Sequence, residues 1–235
     1  MTTNTKILLK TKCEGLPEES DFEKTEEEII EPKEGQIKCE SLYLSLDPYL
    51  RGKINGRHIS GAIFPGELMT GEVISRVTSS ADPAFKKGDL IISHSGWQSH
   101  PVINAADASK IIDLGIPVST YLGILGMPGL TAYAGLLRLA KPKEKDVVLV
   151  SAASGAVGSM VGQIAKIKNC YVVGIAGSDE KCSWVTKTTS MDECINYKKE
   201  NLTEKIKKYC PQGIDIYYDN VGAETLQAAM EQLAP

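Results

Sequence analysis

Three small residues follow an apolar segment at a spacing that suits phosphate binding. Val147 to Val150 holds three valines and a leucine, which predicts a parallel strand buried on both faces. Ala153, Gly155 and Gly158 then occupy the positions of a Gly-x-Gly-x-x-Gly fingerprint, with alanine at the first. Gly155 would let the backbone approach a pyrophosphate, and Gly158 would let the next helix pack closely on the strand. The spacing predicts a dinucleotide-binding turn, and a tight connection that binds no ligand is the alternative.

The tip of the next strand indicates which dinucleotide fits. Enzymes selective for NAD carry an acidic residue about 20 positions past the glycines, where it bonds the ribose 2′-hydroxyl. Here Gly177 and Ser178 stand at that tip, and Lys181 follows. Small residues leave room for a 2′-phosphate and Lys181 can supply a positive charge, so NADP(H) is predicted. Asp179 and Glu180 add negative charge nearby, and we interpret them as first-turn residues that suit a helix dipole. A solvent-exposed helix lysine is the alternative for Lys181.

The second half of the chain alternates between strands and helices, as a doubly wound parallel sheet requires. The predicted strands are Val147 to Val150, Tyr171 to Ile175, Cys194 to Asn196 and Ile214 to Tyr218. The predicted helices are Met160 to Lys168, Glu180 to Thr188, Leu202 to Tyr209 and Glu224 to Leu233. The first of these helices would direct its N-terminal amides at a phosphate. A dinucleotide fold usually carries about six strands in two halves, so four strands predict an incomplete one.

The first half of the chain is predicted to be rich in strands. Its short apolar or alternating runs are separated by proline, glycine and acidic clusters, which is typical of an antiparallel barrel or sandwich. These runs are Ile7 to Lys10, Gln36 to Leu46, Glu72 to Val77 and Asp89 to Ser93. The acidic run from Glu18 to Glu34 is interpreted as a solvated hairpin or loop. Between the halves, Tyr121 to Ala140 has helical periodicity, and Gly126 to Gly129 is expected to end and restart that helix.

Composition and charge exclude several classes of function. The 235 residues carry a net charge of −4, which gives no basic footprint for nucleic acid. No apolar run reaches the roughly 18 residues of a membrane span, and no signal peptide is recognised. Neither the histidines nor the cysteines have metal-ligand spacing, so no metal is expected. Free thiols suggest a reducing compartment, and a cytoplasmic location is predicted; the cysteines are Cys13, Cys39, Cys170, Cys182, Cys194 and Cys210.

Six segments together resemble one known family over the whole chain. Their order and spacing are similar to those of the zinc-independent medium-chain dehydrogenase/reductases, in particular the 2-alkenal (double-bond) reductases and the prostaglandin reductases. The sequences of these segments resemble most those of the plant double-bond reductases. The segments are Leu42 to Arg51, Leu125 to Gly135, Ser151 to Gly158, Gly177 to Lys181, Asn196 to Lys198 and Gly213 to Gly222.

The resemblance implies an α/β protein of two domains. Residues 1–125 would form a GroES-like β-barrel domain for substrate and catalysis. Residues 126–235 would form a Rossmann NADP-binding domain, a doubly wound parallel sheet whose second half is missing, so that the chain is C-terminally truncated. The residues implied for the cofactor are Gly155, Ala156, Val157 and Gly158 at the pyrophosphate, Gly177, Ser178, Lys181 and Tyr197 at the 2′-phosphate region, and Asn220 at the nicotinamide side. Tyr49 would line the substrate pocket; without the family, Tyr49, Tyr197 and Asn220 would be interpreted as structural.

The activity that the resemblance implies is reduction of the carbon–carbon double bond of an α,β-unsaturated aldehyde or ketone, by hydride transfer from NADPH. Without a metal, the enolate oxygen must be stabilised by hydrogen bonds. Tyr49 or the cofactor ribose could help, but the sequence assigns no proton donor. A quinone oxidoreductase of the same superfamily and a truncated, non-catalytic nucleotide-binding protein are the alternatives. A small enal or enone is the expected partner, and the resemblance is compatible with a homodimer.

Overall fold

The computed structural model describes residues 3–234. These residues form two compact units, which divide between Leu122 and Gly123. The boundary expected from the sequence lies after residue 125. The first unit contains two sheets and the second unit contains one, and each unit has its own clusters of buried apolar side chains.

The first unit is built from antiparallel strands, as the sequence predicts. Strand β1 pairs with β2, and the other five strands form one sheet in the order β6-β3-β4-β5-β7, with every neighbouring pair antiparallel. The strands are β1 (Thr3–Leu9), β2 (Phe22–Glu28), β3 (Gln36–Leu44), β4 (Val73–Ser80), β5 (Leu90–Ser93), β6 (Val102–Asn104) and β7 (Ala108–Lys110), and a short helix α1 spans Leu50–Ile54.

The five-stranded sheet curls into a half-barrel. Its two edge strands, β6 and β7, are separated in the chain only by the 3₁₀ turn Ala105–Asp107. A connection of three residues can span only about 10 Å, so the two edges must approach each other. The inner face is filled by fully buried side chains such as Ile37, Val77 and Ile91. The predicted α/β class with a barrel-like first unit is therefore confirmed.

Two parts of the first unit were only partly foreseen. Strand β2 lies within the acidic run Glu18 to Glu34 and pairs antiparallel with β1, with Leu9 opposite Phe22 at the turn end of the pair. The acidic run therefore supplies the second strand of a hairpin, and its side chains are mostly exposed. The sequence did not predict β6, β7 or α1. Three to five residues are too few for an apolar period to stand out.

The second unit is a four-stranded sheet with helices on its faces. All neighbouring strands are parallel, in the order β10-β9-β8-β11. The strands are β8 (Val147–Val150), β9 (Tyr171–Ala176), β10 (Glu193–Asn196) and β11 (Ile216–Tyr218). The helices are α2 (Met127–Tyr133), α3 (Ala156–Ile167), α4 (Asp179–Thr188), α5 (Leu202–Tyr209) and α6 (Ala223–Met230). The predicted doubly wound parallel sheet is confirmed over these four strands.

The central strands of this sheet are buried on both faces. Val148 and Val150 pack in one apolar cluster with side chains of α3, whereas Leu149 packs in a second cluster with Ile206 of α5. This alternation follows from the two-residue period of a strand. Continuous burial explains why β8 has no polar residue.

The glycine-proline segment before α2 does not interrupt a helix, contrary to the prediction. A 3₁₀ turn, Val118–Leu122, precedes it, and α2 begins at Met127 with Pro128 in its first turn. The missing amide hydrogen of a proline costs nothing at that position. A Cβ atom at Gly129 would lie 1.8 Å from the carbonyl oxygen of Ile124, so only glycine fits where the chain turns into the helix. The segment is therefore a helix start.

The helices of the described residues are short. The longest of those named above, α3, has 12 residues. Across residues 3–234, no helix combines the length and the apolar character that crossing a membrane would demand.

Candidate functional site

A crevice of about 800 Å³ opens at the carboxyl ends of the four parallel strands. Its walls come from the turns that follow β8, β9, β10 and β11, where an open parallel sheet binds its ligands. Of the residues predicted for a cofactor, Gly155, Gly177, Lys181 and Tyr197 line this crevice. Three separate turns thus bring four predicted residues together, although they are far apart in the sequence.

The turn after β8 ends in an uncapped helix N-terminus. Helix α3 begins at Ala156, directly after Gly155, and not at Met160 as predicted. The prediction was wrong because the small residues of this first turn hide its helical period. Gly155 has no side chain to cap the helix, and within the described residues the amides of Ala156, Val157 and Gly158 donate to no protein acceptor. These amides are free to bind an anion.

The two glycines of this turn differ in how strictly they are required. A Cβ atom at Gly158 would lie 2.3 Å from the carbonyl oxygen of Ala152 and 2.9 Å from its carbonyl carbon. A Cβ atom at Gly155 would lie 3.1 Å from the same oxygen and meet little else. Gly158 therefore allows the close packing of α3 on the turn, whereas Gly155 leaves an open backbone surface at the crevice.

The turn after β9 is capped by its own side chains. Ser178 Oγ accepts a hydrogen bond from the Lys181 amide at 3.2 Å, so Ser178 is the N-cap of α4. The Asp179 carboxylate accepts a hydrogen bond from the side-chain amide of Asn196 and pairs with Lys199 at 2.5 Å. The hydrogen bonds from Lys199 and then Asn196 lower the pKa of Asp179. The negative charge near Ser178 is therefore held by β10 and its following turn.

Lys181 and Tyr197 line the crevice together with Gly177. The Tyr197 side chain is 48% exposed, and a Cβ atom at Gly177 would lie 3.2 Å from its Cε1 atom. Gly177 thus leaves room for the Tyr197 ring at the rim of the crevice. Lys181 is exposed on α4, and no carboxylate of the described residues lies within ion-pair distance of it. This rim offers a positive charge, a phenol and no bulky side chain at position 177.

Sequence reasoning missed Lys198, which also lines the crevice. Its Cε atom would lie 3.5 Å from a Cβ atom at Gly177, so its side chain extends to the same place as Tyr197. The signal for it was its position directly after Tyr197, in the turn that follows β10.

A cluster of hydrogen bonds joins the ends of β8 and β11. The buried Ser151 hydroxyl accepts the Asn220 amide at 2.7 Å and donates to Asp219 Oδ1 at 3.1 Å. Asp219 Oδ1 also accepts from the amides of Val221 and Gly222 at 3.0 and 2.9 Å. Burial opposes ionisation of Asp219, but these amide hydrogen bonds and those from Tyr217 and Ser151 lower its pKa overall. Neither Ser151 nor Asp219 was singled out in the sequence analysis.

Asn220 is held by this cluster. Its side-chain nitrogen donates to the Ser151 carbonyl oxygen at 2.8 Å. Its side-chain oxygen accepts no hydrogen bond within the described residues. The other residues predicted for the cofactor do not line the crevice but lie next in the sequence, or close, to residues that do; they are Ala156, Val157, Gly158, Ser178 and Asn220.

Tyr49 belongs to the first unit, at the start of α1. Its ring packs against the ring of His58, with 5.3 Å between centroids. Burial, and then the carboxylates of Asp47 and Glu72, raise the pKa of the Tyr49 phenol. Tyr49 is therefore a protonated phenol at neutral pH, able to donate a hydrogen bond to a carbonyl oxygen.

Aspartate, glutamate, histidine and cysteine side chains are the usual ligands of metal ions in proteins. In the part of the chain that the structure describes, no three of them are grouped in a way that could hold a metal ion. The six cysteines are all free thiols.

Two family models match the chain. One is described as "N-terminal domain of oxidoreductase" and matches residues 5–111; the other is described as "Zinc-binding dehydrogenase" and matches residues 156–235. The two matches fall in the two units described above.

Similar proteins cover nearly all of the chain. The NADPH-dependent curcumin reductase of Escherichia coli (strain K12) is 40% identical over 98% of this chain and 67% of its own length. The 2-alkenal reductase (NADP(+)-dependent) of Nicotiana tabacum is 44% identical over 97% of this chain and 68% of its own length. The crystal structure of CurA in complex with NADPH from Vibrio vulnificus superposes with a TM-score of 0.91 at 39% identity, over 97% of this chain and 68% of that one.

The chain spans about two thirds of the length of these relatives. Identities of 40 to 44% over nearly the whole chain, together with a TM-score of 0.91 to a solved relative, show the family. The chain belongs to the alkenal reductase family of the medium-chain dehydrogenase/reductases.

Proposed function

We propose that this protein is an NADPH-dependent reductase of the carbon–carbon double bond of α,β-unsaturated aldehydes and ketones. The observation that carries the proposal is the convergence of Gly155, Gly177, Lys181 and Tyr197 on one crevice at the strand ends. The names of the relatives, an NADPH-dependent curcumin reductase and an NADP(+)-dependent 2-alkenal reductase, support the same reaction class.

The β8–α3 turn fits the pyrophosphate of NADP(H). The amides of Ala156, Val157 and Gly158 have no protein acceptor within the described residues, and the positive end of the helix dipole lies there. Gly155 presents bare backbone beside them. These four residues are proposed to hold the two phosphates of the pyrophosphate.

The β9–α4 turn and the turn after β10 fit the 2′-phosphate of NADP(H). Lys181 would supply a charge, and Tyr197 and Ser178 would supply hydroxyl groups. Gly177 keeps the place between them open, because a side chain there would meet Tyr197. Asn220, with its side-chain oxygen free, is proposed to face the nicotinamide side.

The bound cofactor would supply a hydride for the β-carbon of the substrate. Tyr49 is proposed to line the substrate pocket, where its phenol, kept protonated by its raised pKa, would donate a hydrogen bond to the carbonyl oxygen. Such a bond stabilises the negative charge that develops on that oxygen. The proton donor to the α-carbon stays unassigned.

The test is a titration of the 235-residue chain with NADPH and NADH, followed by cofactor oxidation with 2-hexenal. The matched control substrate is hexanal, which has the carbonyl but not the double bond. We expect NADPH to bind more tightly than NADH and to be oxidised with 2-hexenal alone.

The two alternatives give different results in the same assay. Oxidation of NADPH by a benzoquinone but not by 2-hexenal would replace the proposal with a quinone oxidoreductase. Tight binding of NADPH without turnover of either substrate would make the chain a nucleotide-binding protein that lacks the activity.

We also propose a cytoplasmic location and a homodimer. Six free thiols suit a reducing compartment, and fractionation of the source cells tests the location. The homodimer rests on the family resemblance, and the molar mass by light scattering tests it; a mass near 25.4 kDa would be that of a monomer.

A further inference from the structure

The lysines that follow β10 differ in whether they form an ion pair. Lys199 pairs with Asp179 at 2.5 Å, and Lys205 pairs with Glu200 at 2.5 Å. Lys198, which directly precedes Lys199 in the sequence, has no carboxylate within ion-pair distance among residues 3–234. The carboxylates of Asp179 and Glu200 are thus paired with other lysines, and the Lys198 charge stays available. Glu224, which lines the crevice from the start of α6, has no lysine or arginine within ion-pair distance in the described residues.

The backbone of Lys198 is fixed by a buried side chain. Asn196 is 3% exposed, and its side-chain oxygen accepts the Lys198 amide at 3.2 Å, while its side-chain nitrogen donates to Asp179. The Asn196 amide in turn donates to the Glu200 carboxylate at 3.0 Å. Asp179, whose charge argued against NADP(H) in the sequence, therefore helps to hold the turn that carries Lys198.

The Lys198 side chain extends towards the crevice. It lines the crevice together with Lys181 and Tyr197, and its Cε atom lies 3.5 Å from the position of a Cβ atom at Gly177. Glu180, another acidic residue of this rim, does not line the crevice. Two lysines without an ion-pair partner among the described residues, one from α4 and one from the turn after β10, thus line the same crevice as Gly177.

We propose that Lys198 is a specificity-determining residue, a second cation that binds the 2′-phosphate of NADPH opposite Lys181. This rests on the proposed function, because it places the 2′-phosphate at this rim. A phosphate monoester carries close to two negative charges at neutral pH. Two lysines from different turns match that charge, whereas NADH, which lacks the group, gains nothing from either.

The experiment measures the dissociation constants of NADPH and NADH by quenching of protein fluorescence in wild type, Lys198→Ala, Lys198→Arg and Lys207→Ala. Lys207 is the matched control, because it is an exposed lysine in the last turn of α5 that does not line the crevice. We expect Lys198→Ala to weaken NADPH about tenfold and NADH by less than about twofold. Lys198→Arg should retain most of the affinity, and Lys207→Ala should match wild type.

Salt supplies a readout that a structural role of Lys198 would not produce. The preference of wild type for NADPH over NADH should shrink as salt rises, and Lys198→Ala should show a weaker salt dependence. Equal weakening of NADPH and NADH in Lys198→Ala would overturn the inference and leave the proposed function intact. Wild type with no preference for NADPH would overturn the proposed function itself.

Discussion

Two helix N-termini face the same crevice but are built in opposite ways. Helix α3 starts after Gly155, which has no side chain, and its first amides have no acceptor within the described residues. Helix α4 starts after Ser178, whose hydroxyl accepts the Lys181 amide. The α3 terminus leaves its first amides for a ligand, whereas the α4 terminus satisfies the Lys181 amide through its own serine cap and presents side chains to the crevice.

The difference separates general binding from discrimination. Backbone amides and a helix dipole bind any pyrophosphate, so the α3 terminus cannot tell NADPH from NADH. The α4 terminus and the turn after β10 carry Lys181, Lys198 and Tyr197, which can respond to one phosphate group. Changes at the first should affect both cofactors, and changes at the second should affect one.

The largest effect is expected for Gly158→Ala. The new methyl group would overlap the backbone of Ala152 at 2.3 Å, and backbone atoms cannot move aside as a flexible side chain can. The helix propensity of alanine returns only about 1 kcal/mol, whereas such overpacking costs about 1–3 kcal/mol or more. We expect a net loss of stability and a loss of affinity for both cofactors, measured by urea unfolding and by titration.

Gly155→Ala is the matched control for this variant. Its methyl group would lie 3.1 Å from the same carbonyl oxygen, so a shift of a few tenths of an ångström relieves the contact. Unfolding free energies that are equal for the two variants would contradict the different roles given to Gly155 and Gly158.

The next largest effect is expected for Lys181→Ala. Removal of this unpaired charge should raise the dissociation constant of NADPH by about tenfold or more and leave that of NADH nearly unchanged. The measurement is a parallel titration with both cofactors. Equal losses for NADPH and NADH would refute the role of Lys181 at the 2′-phosphate.

A smaller effect, without discrimination, is expected for Asp219→Asn. The carboxylate gathers the Val221 and Gly222 amides and the Ser151 hydroxyl, so its loss should loosen the turn after β11 and weaken both cofactors equally. Because Asp219 is exposed, its contribution to stability is only about 1 kcal/mol. Tyr217→Phe, which removes a single donor to Asp219, is the milder control.

The pH dependence of this variant follows from the lowered pKa of Asp219. A carboxyl group whose pKa is lowered in the folded state stabilises the protein at pH values above its unfolded-state pKa, about 3.9. This stabilisation is lost as the pH falls through the folded-state pKa. The advantage of wild type over Asp219→Asn in unfolding free energy should therefore shrink below about pH 4. An advantage that grows on acidification would show that another group is responsible.

The smallest effect is expected for Ser178→Ala, which removes the N-cap of α4. Loss of a serine cap costs about 1 kcal/mol, and the Lys181 charge is retained. We expect a small drop in melting temperature and at most a severalfold loss of NADPH affinity. A loss as large as that of Lys181→Ala would mean that the Ser178 hydroxyl binds the phosphate more strongly than its capping role allows.

Much of the fold could be predicted because its signals are local. The apolar run Val147 to Val150 must be buried on both faces, and helix α5 was predicted with its observed bounds, Leu202–Tyr209. The start of α3 could not be placed, because Ala156 to Ser159 lacks an apolar period and contains a glycine. The glycine-proline segment before α2 was misinterpreted, because its meaning depends on the contact between Gly129 and Ile124.

The candidate site could be predicted only where the residue type and its position in the sequence indicate a role. Gly155, Gly158 and Lys181 stand at characteristic distances from a strand, and Tyr197 and Asn220 depended on the family resemblance. The roles of Lys198 and Asp219 depend on the partners of neighbouring groups. Lys199 forms an ion pair with Asp179, which leaves Lys198 unpaired among the described residues, and the Val221 and Gly222 amides donate to Asp219. Such pairings form only in the folded chain, so no spacing in the sequence announces them.

The most direct test of the account is the ratio of NADH to NADPH dissociation constants in wild type and in Lys181→Ala/Lys198→Ala. The account predicts a ratio well above one in wild type that falls to about one in the double variant, because NADPH binding weakens to the level of NADH while the α3 terminus still binds both. A ratio that stays high in the double variant would contradict the division of the crevice into a backbone site and a lysine site.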